Sequence, residues 1–247
     1  CLMRALVMAA GLGTRLRPLT DSLPKPLVPV LGRPMVEYVL ENLAQHGISE
    51  ALLNIHYLPE KLRGFVASWN ALGKLPALFI QDESAEILGS GGAVAKGAAW
   101  LFERGETALV CNSDVLARFE ISALTEEHLR LAAEKGVECT LAVMKHADAG
   151  TKYTGLVLRD SLVASFERSK EEKAEFWHFP GIYIVSKSVS ERLPSPETAF
   201  SILDELWRPL ALEGKLGAWR YQGPYHDLGT VADIQRAEAE ISRGSAS

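Results

Sequence analysis

Several glycine and arginine residues near the start of the chain have the types and spacing of an anion-binding loop. Gly11 and Gly13 follow an apolar run, and Arg15 comes two residues later. Glycines after a strand let backbone N–H groups approach a polyanion closely, and an arginine adds a fixed, forked charge. Leu16 stands where a dinucleotide fingerprint needs its third glycine, and GxxxxGKS or GxxxxGKT occurs nowhere in the chain. An ordinary βα turn would explain the glycines but not the arginine, so we predict a local phosphate site.

Lys25 lies a short distance beyond this loop, between Pro24 and Pro26. A lysine flanked by prolines is expected in an extended, rigid backbone, which fixes where its ammonium group points. Most lysines are solvated surface residues. The position of Lys25 just after the glycine loop favours a contact with the same anion.

Two aspartates follow apolar segments of strand length. Asp114 comes after the segment Ala108–Cys111, and Asp227 ends a similar segment much later in the chain. The carboxyl ends of strands are where α/β proteins bind ligands. Carboxylates from two such ends could share a hard cation such as Mg²⁺. The alternatives are a turn residue for Asp114 and a helix cap for Asp227.

Composition limits the class of protein to which this chain can belong. The chain has 247 residues, of which 47% are hydrophobic and 23% charged, so a disordered or fibrous protein is excluded. Its net charge of 26 − 31 = −5 gives no general attraction to nucleic acid or to an anionic membrane. Three cysteines without CxxC spacing suggest neither disulfides nor zinc, so a cytoplasmic location is expected. Any bound phosphate must therefore be met by a local site.

Apolar runs of strand length alternate with segments of helical period, which predicts an α/β fold with a Rossmann-like wound, mainly parallel (mixed) sheet flanked by helices. The predicted strands are Arg4–Ala9, Ala51–His56, Ala77–Gln81, Ala108–Asn112, Val137–Met144 and Ala218–Tyr221. The predicted helices are Pro34–Gln45, Pro59–Leu72, Gly92–Phe102, Thr125–Lys135, Ile202–Glu213 (capped by Ser201 and Asp204) and one after Thr230. Residues from about 150 to 185 read as a small antiparallel β excursion within a single domain, residues 1–247.

Further motifs along the chain, in this order, complete a recognisable set. They are GLGTRLRPLT (11–20), LPKPL (23–27), LGSGGA (88–93), NSD (112–114), FER (166–168), PGIY (180–183) and HDLGT (226–230). This set resembles the signature of the sugar-1-phosphate nucleotidyltransferases, also called nucleoside-diphosphate-sugar pyrophosphorylases. The resemblance runs from about residue 4 to residue 240.

The resemblance implies a reaction and a set of site residues. A nucleoside triphosphate and a sugar 1-phosphate would be the partners, Mg²⁺ the cofactor, and residues from about 150 to 185 a sugar-side β subdomain. The implied roles are catalysis for Arg15 and Lys25; nucleotide binding for Ala9, Ala10, Gly11, Leu12, Gly13, Thr14, Gln81 and Gly89; sugar binding for Asn112, Gly155, Glu167, Arg168 and Gly181; and metal binding for Asp114 and Asp227. By composition alone, Gln81 is nearly as well explained as a surface residue, and the residues at 155, 167 and 168 as parts of a hairpin.

The substrates are less sharply indicated than the reaction. Short single-domain N-acetylmuramate 1-phosphate uridylyltransferases look most similar, which favours UTP, although they tend to have an acidic residue where Gly89 stands. The alternative is GTP with mannose or heptose 1-phosphate. A non-catalytic regulatory protein that binds nucleotide sugars is a hypothesis of another class, which the four residues Arg15, Lys25, Asp114 and Asp227 together argue against. A monomer or homodimer is expected, with no nucleic-acid or membrane partner.

Overall fold

The fold positions the site through one large mixed sheet. The computed structural model describes residues 3–168 and 175–244. The strands are β1 (Arg4–Met8), β2 (Pro29–Val30), β3 (Arg33–Pro34), β4 (Glu50–Ile55), β5 (Ala77–Asp82), β6 (Thr107–Asn112), β7 (Val115–Ala117), β8 (Cys139–Lys145), β9 (Gly155–Arg159), β10 (Leu162–Glu167), β11 (Trp177–His178), β12 (Ile182–Ser186), β13 (Leu216–Arg220) and β14 (Tyr225–Asp227). The α-helices are α1 (Met35–Gln45), α2 (Pro59–Ala71), α3 (Gly89–Leu101), α4 (Ile121–Lys135), α5 (Arg208–Leu212) and α6 (Val231–Gly244).

Ten strands form the central sheet, in the order β11-β9-β10-β13-β8-β12-β6-β1-β4-β5. β1 runs parallel to both of its neighbours, β4 and β6, and β4 runs parallel to β5. The chain winds outward from β1 through β4 to β5, and then returns to β6 on the other side of β1. The strand order therefore reverses between β1 and β6, and ligands bind at such switch points, beyond the carboxyl ends of the strands. The predicted α/β fold with a wound, mixed sheet is confirmed.

Alternate residues of the strands build a core on each face of the sheet, as the period-2 geometry of a strand requires. On one face, Val7 of β1 belongs to a buried cluster with Leu40 of α1 and Leu62 of α2. On the other, Leu6 belongs to a cluster with Val94 of α3. The ends of these strands are thus fixed between two layers of helix.

A third, smaller buried cluster ties the segment after β1 to the end of the chain. Leu16, Val28 and Met35 pack there with Leu228 and with Ile234 of α6. These contacts hold the loop that carries Arg15 and Lys25 against the segment that carries Asp227.

The excursion predicted for residues 150–185 is antiparallel, but its strands extend the central sheet. β9 and β10 pair with each other and β10 joins β13, while β12 lies between β6 and β8. The cap predicted from Ser201 and Asp204 is wrong. The helix opens instead with a π-helical turn, Leu203–Trp207, without a side-chain cap, and Asp204 pairs with Arg208.

Two helices begin earlier than their apolar pattern suggested. α3 begins at Gly89, although a helix from Gly92 was predicted, and α4 begins at Ile121, where Thr125 was predicted. In α3, the glycines and the serine of the first turn hide the helical period, so its start was predicted too late. The first turn of α4, residues 121–124, includes two buried apolar residues and was left out of the predicted helix. Among the helices described, none is both long and apolar enough to cross a membrane.

His128 of α4 is a buried polar residue that makes the fold sensitive to acid. Its Nδ1 lies 2.9 Å from Thr140 Oγ1 and its Nε2 lies 3.0 Å from Ser186 Oγ. The side chain has no exposed surface. Burial lowers the pKa of His128 from its ordinary value to about 4.

We expect the free energy of unfolding to fall as the pH is lowered from 6.5 towards 4. In this window the unfolded chain binds a proton at His128 that the folded chain excludes, so acid favours unfolding. This one group should contribute a loss of about 2 kcal/mol between pH 7 and pH 5. The free energy of unfolding can be measured with denaturant at several pH values and plotted against pH. We expect this plot to be shallower for His128→Gln than for the intact protein. Equal slopes for the two proteins would contradict the role of His128.

Candidate active site

A cavity of about 260 Å³ opens at the switch point between β1 and β6. The residues that follow β1 form one wall, those that end β6 form a second, and the segment from 83 to 90 forms a third. Its lining includes Ala9, Ala10, Gly11, Lys25, Asn54, Glu83, Gly89, Asn112 and Asp114. Seven of the residues predicted for the site are therefore brought together: Ala9, Ala10, Gly11, Lys25, Gly89, Asn112 and Asp114.

The glycine loop presents free backbone donors. Among the described residues, the N–H groups of Gly11, Leu12, Gly13 and Thr14 donate no hydrogen bond. Consecutive unpaired N–H groups form an anion-binding concavity. The N–H of Ala9 is different, because it donates to Asn54 Oδ1 at 2.6 Å. Only Gly11 of these five both lines the cavity and keeps a free donor.

Lys25 is held against Asp114 at the floor of the cavity. Its ammonium group forms an ion pair with Asp114 Oδ2, and both side chains are largely buried. The extended backbone predicted for Lys25 is wrong. Lys25–Leu27 forms a 3-10 turn closed by the bond from Val28 N to Lys25 O, 3.1 Å, and the extended residues are those on either side of the turn, Pro24 and Val28. Pairing with Asp114 has overridden the local preference set by the following proline.

Strand pairing brings Asp227 next to Asp114. β14 pairs with β7 so that Asp227 stands opposite Val115, and Leu228 N donates to Asp114 O at 3.1 Å. Tyr153 Oη donates to Asp227 Oδ2. Asp227 itself lines a different, polar cavity of about 260 Å³.

Arg15 approaches Asp227 because residue 229 has no side chain. A Cβ atom at Gly229 would lie 3.1 Å from Arg15 Nη1 and 3.2 Å from Asp227 Oδ1. The guanidinium group and the carboxylate therefore both lie close to this glycine. Arg17, the other arginine of the loop, is exposed and pairs with Asp21 at 3.4 Å.

Glu83 is a buried carboxylate in the wall of the cavity, and sequence reasoning missed it. Its Oε1 accepts hydrogen bonds from Asn54 Nδ2 at 3.1 Å and from Gln81 Nε2 at 2.8 Å. Its Oε2 accepts one from Leu88 N at 3.3 Å. Its side chain is almost completely buried. The carboxylate thus joins β4, β5 and the segment before α3.

Gln81, predicted to contact the base, lies behind this wall. Both hydrogens of its amide are used, one by Glu83 Oε1 and one by Ala93 O at 2.9 Å, and the residue is buried. Its side chain does not line the cavity, so the structure does not place it where the prediction needs it. Glu83 follows Gln81 by two positions at the same strand end, but nothing in the sequence indicates which of the two lines the cavity.

The glycine run from 89 to 92 serves packing more than close approach to a base. A Cβ at Gly91 would lie 2.2 Å from the ring of Phe200, and one at Gly92 would lie 2.5 Å from Thr198 O. Gly91 N donates to Phe200 O at 3.0 Å. The segment around Phe200 therefore occupies the space that side chains would fill, and of residues 89–92 only Gly89 and Ser90 line the cavity.

The residues predicted to bind the sugar are not all brought together. Asn112 lines the cavity, and Gly181 packs against it, since a Cβ at 181 would lie 3.0 Å from Asn112 Nδ2. Gly155 and Glu167 pair with each other in the β9–β10 hairpin, and Arg168 follows it, exposed. None of these three lines the cavity.

Glu83→Gln is expected to loosen the wall of the cavity. An amide has one oxygen where the carboxylate has two, so the new NH₂ group would face another hydrogen-bond donor, from the backbone or from a side chain. The lost hydrogen bond should destabilise the wall by about 1–3 kcal/mol. For a nucleotide-binding cavity, this predicts a rise of about tenfold in KM for the nucleotide. The control is Glu86→Gln, an exposed residue of the same segment, and equal KM values for the two variants would contradict the role of Glu83.

Asp114 and Asp227 fit a hard divalent cation in part. Their carboxylate oxygens are the donors that Mg²⁺ prefers. One oxygen of each is engaged, by Lys25 and by Tyr153 respectively. Among residues 3–168 and 175–244, no three His, Cys, Asp or Glu side chains are grouped to hold a metal ion. A cation here would need phosphate oxygens or water to complete its shell.

Comparisons with known proteins identify the family of this chain. The sequence model described as nucleotidyl transferase matches residues 4–244. A mannose-1-phosphate guanylyltransferase of Mycobacterium tuberculosis is 31% identical over 247 residues, covering 98% of this chain and 65% of that protein. The mannose-1-phosphate guanylyltransferase catalytic subunit beta of Xenopus tropicalis is 32% identical over 235 residues, covering 94% of this chain and 62% of that protein. The chain thus spans less than two thirds of the length of these relatives.

Solved structures with low sequence identity share the fold. HddC from Yersinia pseudotuberculosis, complexed with GMP-PN, has a TM-score of 0.75 at 22% identity and covers 97% of this chain and 99% of its own. A UDP-glucose pyrophosphorylase complexed with UDP-glucose has a TM-score of 0.76 at 19% identity, and the match covers 99% of this chain and 100% of that chain. The family match extends over almost the whole described chain, including all three walls of the cavity, and this chain therefore belongs to the nucleotidyl transferase family.

Proposed function

We propose that this chain joins a nucleoside triphosphate to a sugar 1-phosphate. A phosphate oxygen of the sugar 1-phosphate attacks the α-phosphorus, the bond from the α-phosphorus to the β-phosphate oxygen breaks, and pyrophosphate leaves. The observation that carries this proposal is that the free Gly11 N–H and the Lys25–Asp114 pair line one cavity at the switch point, while the β7–β14 pairing brings the backbone of Asp227 next to that of Asp114.

The nucleophile in this reaction is already an anion, so no covalent intermediate with the protein is needed. The obstacle is the repulsion between two polyanions, which positioning and preorganised positive charge overcome. Lys25 neutralises the charge that develops at the α-phosphate. The N–H groups from Gly11 to Thr14 and the Arg15 guanidinium hold the departing pyrophosphate.

Asp114 and Asp227 would hold Mg²⁺. When bound, the ion supplies Lewis-acid stabilisation of phosphate charge. The chain's own contribution is to bring the backbones of the two aspartates together through the β7–β14 pairing and to keep each carboxylate hydrogen-bonded.

GTP and mannose 1-phosphate are the substrates that we propose. The relatives from Mycobacterium tuberculosis and Xenopus tropicalis are both named mannose-1-phosphate guanylyltransferases, which supports the guanylyl reading over the uridylyl reading favoured by the sequence motifs. Gly89, where acidic residues are usual in the uridylyltransferases that the motifs resemble, agrees with this change.

The test is an assay of pyrophosphate release with Mg²⁺, in which GTP and UTP are each combined with mannose, heptose and N-acetylmuramate 1-phosphates. We expect the highest kcat/KM with GTP and mannose 1-phosphate. Highest activity with UTP and N-acetylmuramate 1-phosphate would replace these substrates. No pyrophosphate with any pair, together with tight binding of a nucleotide sugar, would favour a regulatory protein over an enzyme.

A further inference from the structure

The loop between β8 and β9 reaches across to the carboxylate of Asp227. Tyr153, near the end of this loop, donates its phenolic hydrogen to Asp227 Oδ2. The loop closes on itself, since Tyr153 N donates to Asp148 O at 3.1 Å and Gly150 N donates to Tyr153 O at 2.9 Å. Hydrogen bonds within this turn thus hold the backbone of Tyr153 in place.

Packing leaves this turn little freedom to move. Cβ atoms at Gly150 and Gly155, which bracket Tyr153, would lie 2.1 and 2.5 Å from atoms of the Phe176 ring. Both glycines therefore lie flat against one aromatic side chain. The base of the turn is fixed on the sheet by this contact.

The ring of Tyr153 is held from the side as well. Its centroid lies 4.5 Å from that of His178 and 5.4 Å from that of His146. His178 Nε2 lies 3.1 Å from the hydroxyl oxygen of Tyr225, which is two residues before Asp227 on β14. The phenol cannot turn away from Asp227 without disturbing these contacts.

The two oxygens of Asp227 consequently have different surroundings. Oδ2 accepts from Tyr153, whereas Oδ1 lies beside Gly229 on the side where Arg15 Nη1 is found. Asp114 has a matching arrangement, because its Oδ2 accepts from Lys25. Each carboxylate of the pair thus has its own hydrogen donor.

We infer that Tyr153 is a positioning residue that fixes Asp227 Oδ2 and so presents Oδ1 to a divalent cation bound with the nucleotide. Orienting partners of this kind affect metal affinity or activity by about 10–100-fold. The inference rests on the proposed function for its cation. In this role, Tyr153 acts through Asp227 and does not contact the reacting atoms.

The test compares Tyr153→Phe with the intact protein by titrating Mn²⁺, alone and with GTP, and following free Mn²⁺ by electron paramagnetic resonance. We expect the Mn²⁺ dissociation constant to rise about tenfold. With Mg²⁺, kcat should fall by a similar factor while KM for the sugar 1-phosphate stays within about twofold. Tyr38→Phe, whose hydroxyl donates to Val30 O at 2.8 Å, is the matched control and should bind Mn²⁺ as the intact protein does.

A double variant separates positioning from a general structural role. In an Asp227→Asn background, Tyr153→Phe should change the remaining Mn²⁺ affinity no further. An additional loss there would overturn the inference, as would an unchanged Mn²⁺ constant with a raised KM for the sugar 1-phosphate. If the intact protein releases no pyrophosphate but Tyr153→Phe still weakens Mn²⁺ binding, the inference stands and the proposed function fails.

Discussion

Lys25→Met is expected to reduce kcat for nucleotidyl transfer by about 10²–10³-fold, which corresponds to about 3–4 kcal/mol of lost transition-state stabilisation. The Lys25 side chain is only 12% exposed and its ammonium group is paired with Asp114. It is therefore a preorganised charge in a site with little water, where electrostatic stabilisation is strongest. Methionine retains the length and the apolar stem of lysine but removes the charge.

The measurement is steady-state pyrophosphate release, with a thermal melt to show that the variant is folded. Lys74→Met provides the control, since Lys74 is a surface lysine that lies 3.7 Å from Glu37. Its kcat should equal that of the intact protein. A kcat within threefold of normal for Lys25→Met would remove this lysine from the mechanism.

Gly13→Ala is expected to reduce kcat/KM by about ten- to a hundredfold. Gly13 has a φ of +64°, and the left-handed region costs about 1–2 kcal/mol for a residue with a Cβ. The new methyl group would also lie 2.9 Å from Thr20 Cγ2 and 3.0 Å from Lys25 Cβ. Relief of this crowding must displace Lys25 from Asp114 or reshape the row of free N–H groups.

A second glycine allows strain and crowding to be measured separately. Gly73, at the end of α2, has a φ of +65° with no atom within 4 Å of its Cβ position. Gly73→Ala should lower the melting temperature by a few degrees and leave kcat/KM unchanged. If Gly13→Ala also affects only the melting temperature, the geometry of the loop is not required for catalysis.

The glycine loop and Lys25 were found from sequence because their signals are local. Glycine spacing, flanking prolines and the preceding apolar run all lie within about twenty-five residues. The roles of Gln81 and Glu83 were not predictable in this way. Both residues are polar, and they are two positions apart in the sequence. Glu83 lines the cavity and is hydrogen-bonded to Asn54 of β4, whereas Gln81 lies behind it and is hydrogen-bonded to Ala93 of α3.

The same distinction applies to the glycines at 89–92 and to Tyr153. A glycine run indicates a close approach, yet the approaching group is Phe200, which is more than a hundred residues away in sequence. Tyr153 carries no motif that marks it as a partner of Asp227, and the two meet only because the β8–β9 loop folds over β14. Contacts between residues so far apart in the sequence are determined by tertiary packing.

The alternation of apolar runs and helical segments in the sequence determined the wound sheet, and hence that Gly11, Lys25 and Asp114 lie at one sheet edge. Residue type and spacing also indicated which residues could bind phosphate or a cation, because glycines, basic side chains and carboxylates are identified from the sequence alone. Only the tertiary structure decided how they pair: Lys25 with Asp114, Tyr153 with Asp227, and Glu83 with three neutral donors. The physical reason is that a buried polar group must find its partner wherever the fold places one, at any distance along the chain.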